Sequence, residues 1–262
     1  MQQQLEELET LQALYEPNDF EFTQDPVTSV YSGRYKCRPQ LPDDRPTLLV
    51  KVIAKNRALT PLTAPILKHD GPNIFQLFTI DHLPPLVVNF TLPQEYPDSG
   101  EAGFTLDCDW LPRAFREQAV VAMTSLAHSR VGEPCLWEVL DFLETGLFSG
   151  ILKLPLEDGC HLLDLTEPVW TRPLRHRALK AFVAFDVYEG HRRFAKAIVD
   201  CPICAEDKLG SAFTRLSACG HFFCHECLRE SLVHHIAEGF TSGPINCLEC
   251  RAVIDLNEVR NF

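Results

Sequence analysis

The chain has 262 residues, 45% of them hydrophobic, which is enough for cores and excludes a disordered polymer. Its net charge is −12, and no segment is strongly basic. Phosphate binding needs Lys and Arg, so nucleic acid is not the expected ligand. The start, MQQQLEELET, lacks the basic and apolar regions of a signal peptide, and no apolar run reaches the roughly 18 residues that span a bilayer. The expectation is a soluble protein of the cytoplasm, with the nucleus as a second compartment, and no membrane partner.

Charge is uneven. Residues 1–150 carry 11 Lys and Arg against 21 Asp and Glu, a net −10. Residues 151–200 carry 8 against 7, and residues 201–262 carry 5 against 8. An acidic first domain fits a protein partner. In chain order, residues 3–15 read as a helix, with Leu5, Leu8, Leu11 and Leu14 stepping by three and Pro17 closing it. Four apolar runs, 27–37, 47–54, 73–80 and 86–92, read as the strands of a meander. A Pro/Gly-rich excursion, LPQEYPDSGEAG, leads into FTLDCDWLP. Residues 111–131 then read as a helix with Phe115, Ala119, Val120, Met123, Leu126 and Ala127 on one face, stopped at Gly132. A last helix starts near Pro134 and carries Leu136, Val139, Leu140, Leu143 and Leu147. The fold class is α+β. Residues 151–176 read as a proline-spaced loop and 177–198 as a helix, so 151–198 is a linker with a helix.

Residues 1–150 resemble an RWD domain, on LEELETLQALYEPNDF, LPPLVVNFTLPQEYP and LWEVLDFLE. The resemblance implies a four-stranded antiparallel sheet with helices, and a module that binds a protein partner. The family usually reads Tyr-Pro-x-x-Pro-Pro in the excursion; here Gly100 and Glu101 stand where the two prolines would be. The RWD fold is shared with ubiquitin-conjugating enzymes, but no His-Pro-Asn precedes Cys108, which reads as a buried structural thiol.

Seven of the eleven cysteines lie between 201 and 250, a density that points to metal rather than disulfides in a cytosolic chain. The donors run Cys201-x2-Cys204-x14-Cys219-x1-His221-x2-Cys224-x2-Cys227-x19-Cys247-x2-Cys250. Eight donors fill two tetrahedral zinc sites with none left over, so two Zn2+ ions are the expected cofactors. Spacing alone allows the two sets to interleave or to follow one another, and His225, inside a knuckle, is a competing ligand. Three cysteines, one histidine and four cysteines resemble a RING finger over 199–262. That resemblance implies interleaving: Cys201, Cys204, Cys224 and Cys227 on one ion; Cys219, His221, Cys247 and Cys250 on the other. It further implies a docking surface for a ubiquitin-charged conjugating enzyme, with Ile203, Leu232 and Leu248 as apolar contacts and Arg251 as the cation that bridges ubiquitin and that enzyme.

An RWD domain, a helical connector and this RING resemble together the RING-between-RING class of E3 ubiquitin ligases. Members of that class continue into a second zinc module and a final domain with a catalytic cysteine. The sequence stops at Phe262, so no residue of it is expected to be catalytic. The expected function is that of an E3 ubiquitin-protein ligase that binds the charged conjugating enzyme through the RING and a partner or substrate through the RWD domain. The alternative is a non-catalytic adaptor or competitor that recruits the conjugating enzyme without discharging it.

Overall fold

The computed structural model describes residues 2–41, 47–53, 66–70, 73–157, 159–237 and 244–254. Ala54 at the end of one expected strand, residues 238–243 of the insert before Cys247, and residues 255–262 lie outside the described residues. The chain divides into two compact units, Met1–Val187 and Tyr188–Phe262.

The first unit opens with α1 (Gln2–Leu14). Only Leu8 and Leu11 of the four leucines are buried; Leu5 and Leu14 are exposed. A step of three residues falls short of the 3.6-residue turn, so a strict period of three winds off the buried face after two steps. Gln4 completes that face instead. Its buried amide donates to the carbonyls of Pro93 (2.9 Å) and Tyr96 (2.6 Å) and so anchors the excursion loop. Glu7, one turn later, accepts from the Tyr96 hydroxyl (2.9 Å) and from the Leu136 N–H (2.7 Å). The loop is thereby tied to α1 and to the start of the third helix without the family's two prolines.

The strands are β1 (Phe20–Gln24), β2 (Tyr31–Cys37), β3 (Leu48–Ile53), β4 (Ile66–Asp70), β5 (Asn73–Ile80), β6 (Leu86–Leu92) and β7 (Gly103–Asp107). They form two sheets rather than one meander. The four-stranded antiparallel sheet has the order β1-β2-β6-β7. Of the four expected strands, only β2 and β6 belong to it. β3 and β5 lie in a second sheet, and β1 and β7, short segments beside a helix end and a turn, complete the first. Alternation marks a strand but not its neighbour, so the sequence pattern could not assign the sheets.

α2 (Arg113–Ser129) buries Ala119, Met123 and Ala127. α3 (Leu136–Gly146) buries Leu136, Val139, Leu140 and Leu143, and runs into a π-turn at Leu147–Leu152. The stretch expected to be a loop is structured. β8 (Leu156–Glu157) turns into β9 (Cys160–Asp164), which pairs in parallel with β3, giving the second sheet the order β4-β5-β3-β9-β8. α4 (Arg172–Lys196) starts five residues earlier than its apolar pattern suggests. Pro173 does not prevent this, because a proline in the first turn lacks only an N–H that has no helical partner. Leu48, Val50, Val52, Phe78, Ile80, Leu163, Trp170 and Phe182 share one core with the four-stranded sheet and α1–α3.

Gly33 in β2 shows how tightly this core closes. A Cβ there would lie 2.2 Å from the Phe90 ring and 2.6 Å from the Glu21 carbonyl. The second neighbour is backbone and cannot rotate away. Gly33→Ala is expected to cost about 3 kcal/mol, read as a lower urea midpoint with an unchanged slope.

Candidate metal centres

In the second unit, each turn that carries candidate ligands is closed by a short pairing of chain. β10 (Ile198–Asp200) pairs with β11 (Asp207–Leu209) and holds the Cys201–Cys204 turn between them. β12 (Phe213–Arg215) pairs with β13 (Phe222–Cys224) around Cys219 and His221. α5 (His225–Ala237) follows at once, with Cys227 in its first turn. A bridge between Asn246 and Val253 closes the last turn, which holds Cys247 and Cys250.

Three of these turns share one backbone design. The Cys201 N–H donates to the Glu206 carbonyl, and the Ala205 N–H to the Cys201 carbonyl. Cys247 with Ala252, and Arg251 with Cys247, repeat the pair; Leu216 with His221, and Gly220 with Leu216, repeat it again. The fifth residue of each is left-handed: Ala205 at φ 55°, Gly220 at φ 76° and Arg251 at φ 61°. Only one of the three is glycine. Left-handed backbone costs an alanine or arginine roughly 1 kcal/mol, so the turns hold Ala205 and Arg251 in a conformation they do not favour.

This scaffold gathers the eight donors into two groups: Cys201, Cys204, Cys224 and Cys227; and Cys219, His221, Cys247 and Cys250. Within each, the ligand atoms lie within 4.8 Å of one another. The membership interleaves, and His225 is in neither group. Cys204 Sγ is 3.9 Å from Cys224 Sγ, and Cys247 Sγ is 3.6 Å from His221 Nδ1. A tetrahedral ion with bonds near 2.3 Å to sulfur and 2.0 Å to nitrogen sets those edges at roughly 3.8 and 3.6 Å. The donor sets therefore fit a closed, four-coordinate metal ion.

Electrostatics favours a cation. Burial opposes ionisation of Cys201, but N–H groups of Cys204, Cys224 and Ile203 outweigh it and bring the thiol down to about 6. Cys247, also opposed by burial, is brought to about 7 by the N–H groups of Cys250 and Glu249. Cys219 goes the other way, pushed up to about 11 by burial and by the thiols of Cys247 and Cys250. Cys227 is raised too, by burial and then by Cys224, Cys204 and Cys201. The backbone readies one thiolate in each group, and Cys219 and Cys227 need a positive ion before they can ionise beside it. Lys208 Nζ supplies part of that charge: it lies 3.8 Å from Cys224 Sγ and pairs with Glu206 and Glu226. On the far side of His221, Nε2 lies 3.4 Å from the Glu249 carboxylate, which leaves Nδ1 as the ligand atom.

Ile203 and Leu248, inside two of the matching turns, are exposed. Arg251 is exposed at the left-handed position of the last turn. Leu232 is not a surface contact. It is buried with Leu216, Phe223, Leu228, Ile245, Cys247 and Ile254 in the small core under the second donor group. With Leu228 and Leu232 turned inward, α5 exposes Val233 and Ile236 instead, which the helical period implies once the buried pair is identified. Cys108 accepts the Leu111 N–H (3.3 Å), and burial holds its thiol up at about 11, unlike a thiolate nucleophile.

The fold of the first unit and the comparisons agree on its class. A family model for the RWD domain matches residues 2–147, and the chain belongs to that family. Its relatives include the E3 ubiquitin-protein ligase RNF14 of Danio rerio, 29% identical over 196 residues, covering 65% of this chain and 42% of the relative. The human protein of that name is 26% identical over 66% of this chain and 42% of its own length. The E3 ubiquitin-protein ligase itt1 of Schizosaccharomyces pombe is 24% identical over 69% and 38%. The chain spans less than half the length of these curated relatives. Its Cys-rich second unit is consistent with a RING-like metal site. No helix among the described residues is long and apolar enough to cross a membrane.

Proposed function

We propose that this chain acts in ubiquitin transfer as part of an E3 ligase, the second unit binding a ubiquitin-charged conjugating enzyme and the RWD domain binding a protein partner or substrate. The observation that carries the reading is the interleaved pair of four-donor groups, with Ile203 and Leu248 exposed on the turns that build them. The relatives' names support the same pathway. Two zinc ions suit the donor sets, and each would be fully occupied by protein donors. Bound there, the ions would cross-link the turns, and the eight protein donors would leave no position for a reacting water. The chain's own residues bind and orient. Ile203 and Leu248 offer the apolar contact, and Arg251 spans two carbonyls or carboxylates with its planar fork.

In the reaction served, a substrate lysine amine attacks the thioester carbonyl on the conjugating enzyme. An amide bond forms, the enzyme's thiolate leaves, and the amine proton passes to solvent. The rate gain comes from holding the thioester in a reactive orientation. Burial holds Cys37, Cys108 and Cys135 above the ordinary thiol range, which supports transfer directly from the conjugating enzyme rather than through a thioester on any of these three. The cytoplasm, and secondarily the nucleus, is the proposed location.

Single-turnover discharge tests this. Conjugating enzymes loaded with ubiquitin are mixed with the metal-loaded chain, and thioester loss to free lysine is followed. Discharge should accelerate, and Ile203→Ala and Arg251→Ala should each slow it about tenfold or more. Arg251→Gly should be as inactive as Arg251→Ala yet about 1 kcal/mol more stable, because it relieves the left-handed position. Binding without acceleration would leave recruitment alone, the adaptor reading. An active Arg251→Gly would remove the bridging role.

A further inference from the structure

Within the first unit, a groove of about 520 Å³ runs between β7 and α2, lined by Phe104, Thr105, Leu106, Val120 and Val121 among others. Next to it lies a hollow of about 430 Å³ lined by Arg177 of α4. Arg113 and Arg116, at the start of α2, line both. We propose that this composite site receives an extended segment of a partner protein in which an aliphatic or aromatic residue stands next to a carboxylate. The apolar side chain would sit against Leu106, Val120 and Val121, and the carboxylate would pair with Arg116. The inference deepens the reading of the RWD domain as a partner-binding module and rests on it.

Four observations converge. The first is charge. Residues 1–150 carry a net −10, and yet Arg113 and Arg116 meet Arg177 of α4 here, three arginines against the two carboxylates Asp109 and Glu117. The second is an unmet bond: Arg116 Nε is buried with no hydrogen-bond partner. Among the described residues no carboxylate pairs with Arg116, whereas Arg113 is held by Glu117 at 2.7 Å. Arg116 is half-buried with no carboxylate of its own, so an incoming carboxylate would pair with the terminal N–H groups of its guanidinium rather than with the enclosed Nε. The third is the open strand. β7 ends the order β1-β2-β6-β7, so one side of it has no ladder partner among the described residues. Phe104 and Leu106 are buried toward the core while Thr105 is exposed on the opposite face. A groove that touches all three follows the strand's edge, where an extended chain can add. The fourth is exposed apolar surface, since Val121 is 64% exposed on the helical wall. Edge, apolar floor and cation together select a short linear segment with an acidic residue.

The test is selection on the full, metal-loaded chain from a random peptide library displayed on phage, followed by anisotropy with the enriched peptides. Enrichment of Asp or Glu beside an aliphatic or aromatic residue is expected. Arg116→Gln should then weaken binding about tenfold or more, and so should Val121→Asp, which puts a like charge in the groove at an exposed position. Inorganic phosphate should displace the peptides poorly, because it has no apolar part. The proposal is overturned if acidic residues are not enriched, if neither substitution changes binding, or if phosphate competes as well as the peptide does, which would make the hollow an oxyanion site only. Ubiquitin discharge in the same variants separates the two readings. Peptide binding with no discharge removes only the ubiquitin role; discharge with no peptide binding removes only this groove.

Discussion

Chelating the metal should unfold the second unit and leave the first intact. Among the described residues of the second unit, the buried apolar ones fall into two small clusters. One is Leu216, Phe223, Leu228, Leu232, Ile245, Cys247 and Ile254; the other is Cys201, Phe213 and Cys224. Both clusters include candidate ligands, so a bound metal and the core would hold the same places. A unit this small cannot build sufficient stability from apolar burial alone. A structural zinc contributes on the order of 10 kcal/mol of folding free energy, more than such clusters can replace. All three tryptophans, Trp110, Trp137 and Trp170, lie in the first unit, which makes the readout specific. Chelation should leave tryptophan emission unchanged, while trypsin gains access to Lys208 and Arg215. Cys224→Ser and Cys247→Ser should reproduce the effect in the presence of metal, one for each group. Continued protease resistance after complete metal removal would show that the donors are not what holds this unit together.

The second unit was legible in the sequence because its information is chemical and local. Eight donors at knuckle spacing leave few ways to be satisfied, and the structure gathers them in the interleaved sets that the RING resemblance implies. What spacing could not show is the backbone beneath it. The left-handed residue of each turn is marked by glycine only at Gly220, whereas Ala205 and Arg251 adopt the same conformation unannounced. Leu232 was misread for a related reason. An apolar residue on a short helix serves a core or a docking face equally well until its neighbours are known, and Leu216, Phe223 and Ile254 decide for the core.

In the first unit the legible part was again what is local. α1, α2, α3 and the segments β2, β3, β5 and β6 follow from their apolar patterns. Partnership between distant segments did not. β9 pairs with β3 across more than a hundred residues of sequence, in a parallel register that leaves no turn to read: Leu48 opposite His161, Lys51 opposite Asp164. Prolines at 155, 168 and 173 made this stretch look like a loop, although Pro155 and Pro168 lie outside the strands and Pro173 is in the first turn of α4.

That missed partnership yields the second large effect. A fragment ending at residue 150, close to where the family match ends, is expected not to fold cooperatively; one ending at 187 should. The shorter fragment loses Leu163, Leu165, Trp170, Leu179 and Phe182, all buried in the common core. At about 2 kcal/mol for each side chain this is about 10 kcal/mol, comparable with the entire 5–15 kcal/mol of a typical domain. Polar ties go as well. Lys51 Nζ loses Asp164 (3.0 Å), and Asp186 no longer accepts from the backbone N–H groups of Asp81 and His82 or meets His82 Nδ1 (2.9 Å). The removal of β9 also turns β3 into an unpaired edge, which invites aggregation. Trp110 reports the loss directly, since its ring lies 5.2 Å from that of Phe182, edge to face. Its emission should shift to the red in the shorter fragment, without a sharp urea transition, while the longer fragment keeps the full chain's midpoint. Trp170→Ala in the full chain should cost about 3–5 kcal/mol by the same packing. If the fragment ending at 150 keeps a buried Trp110 and the full chain's midpoint, then β9 and α4 only rest on a domain that is already complete.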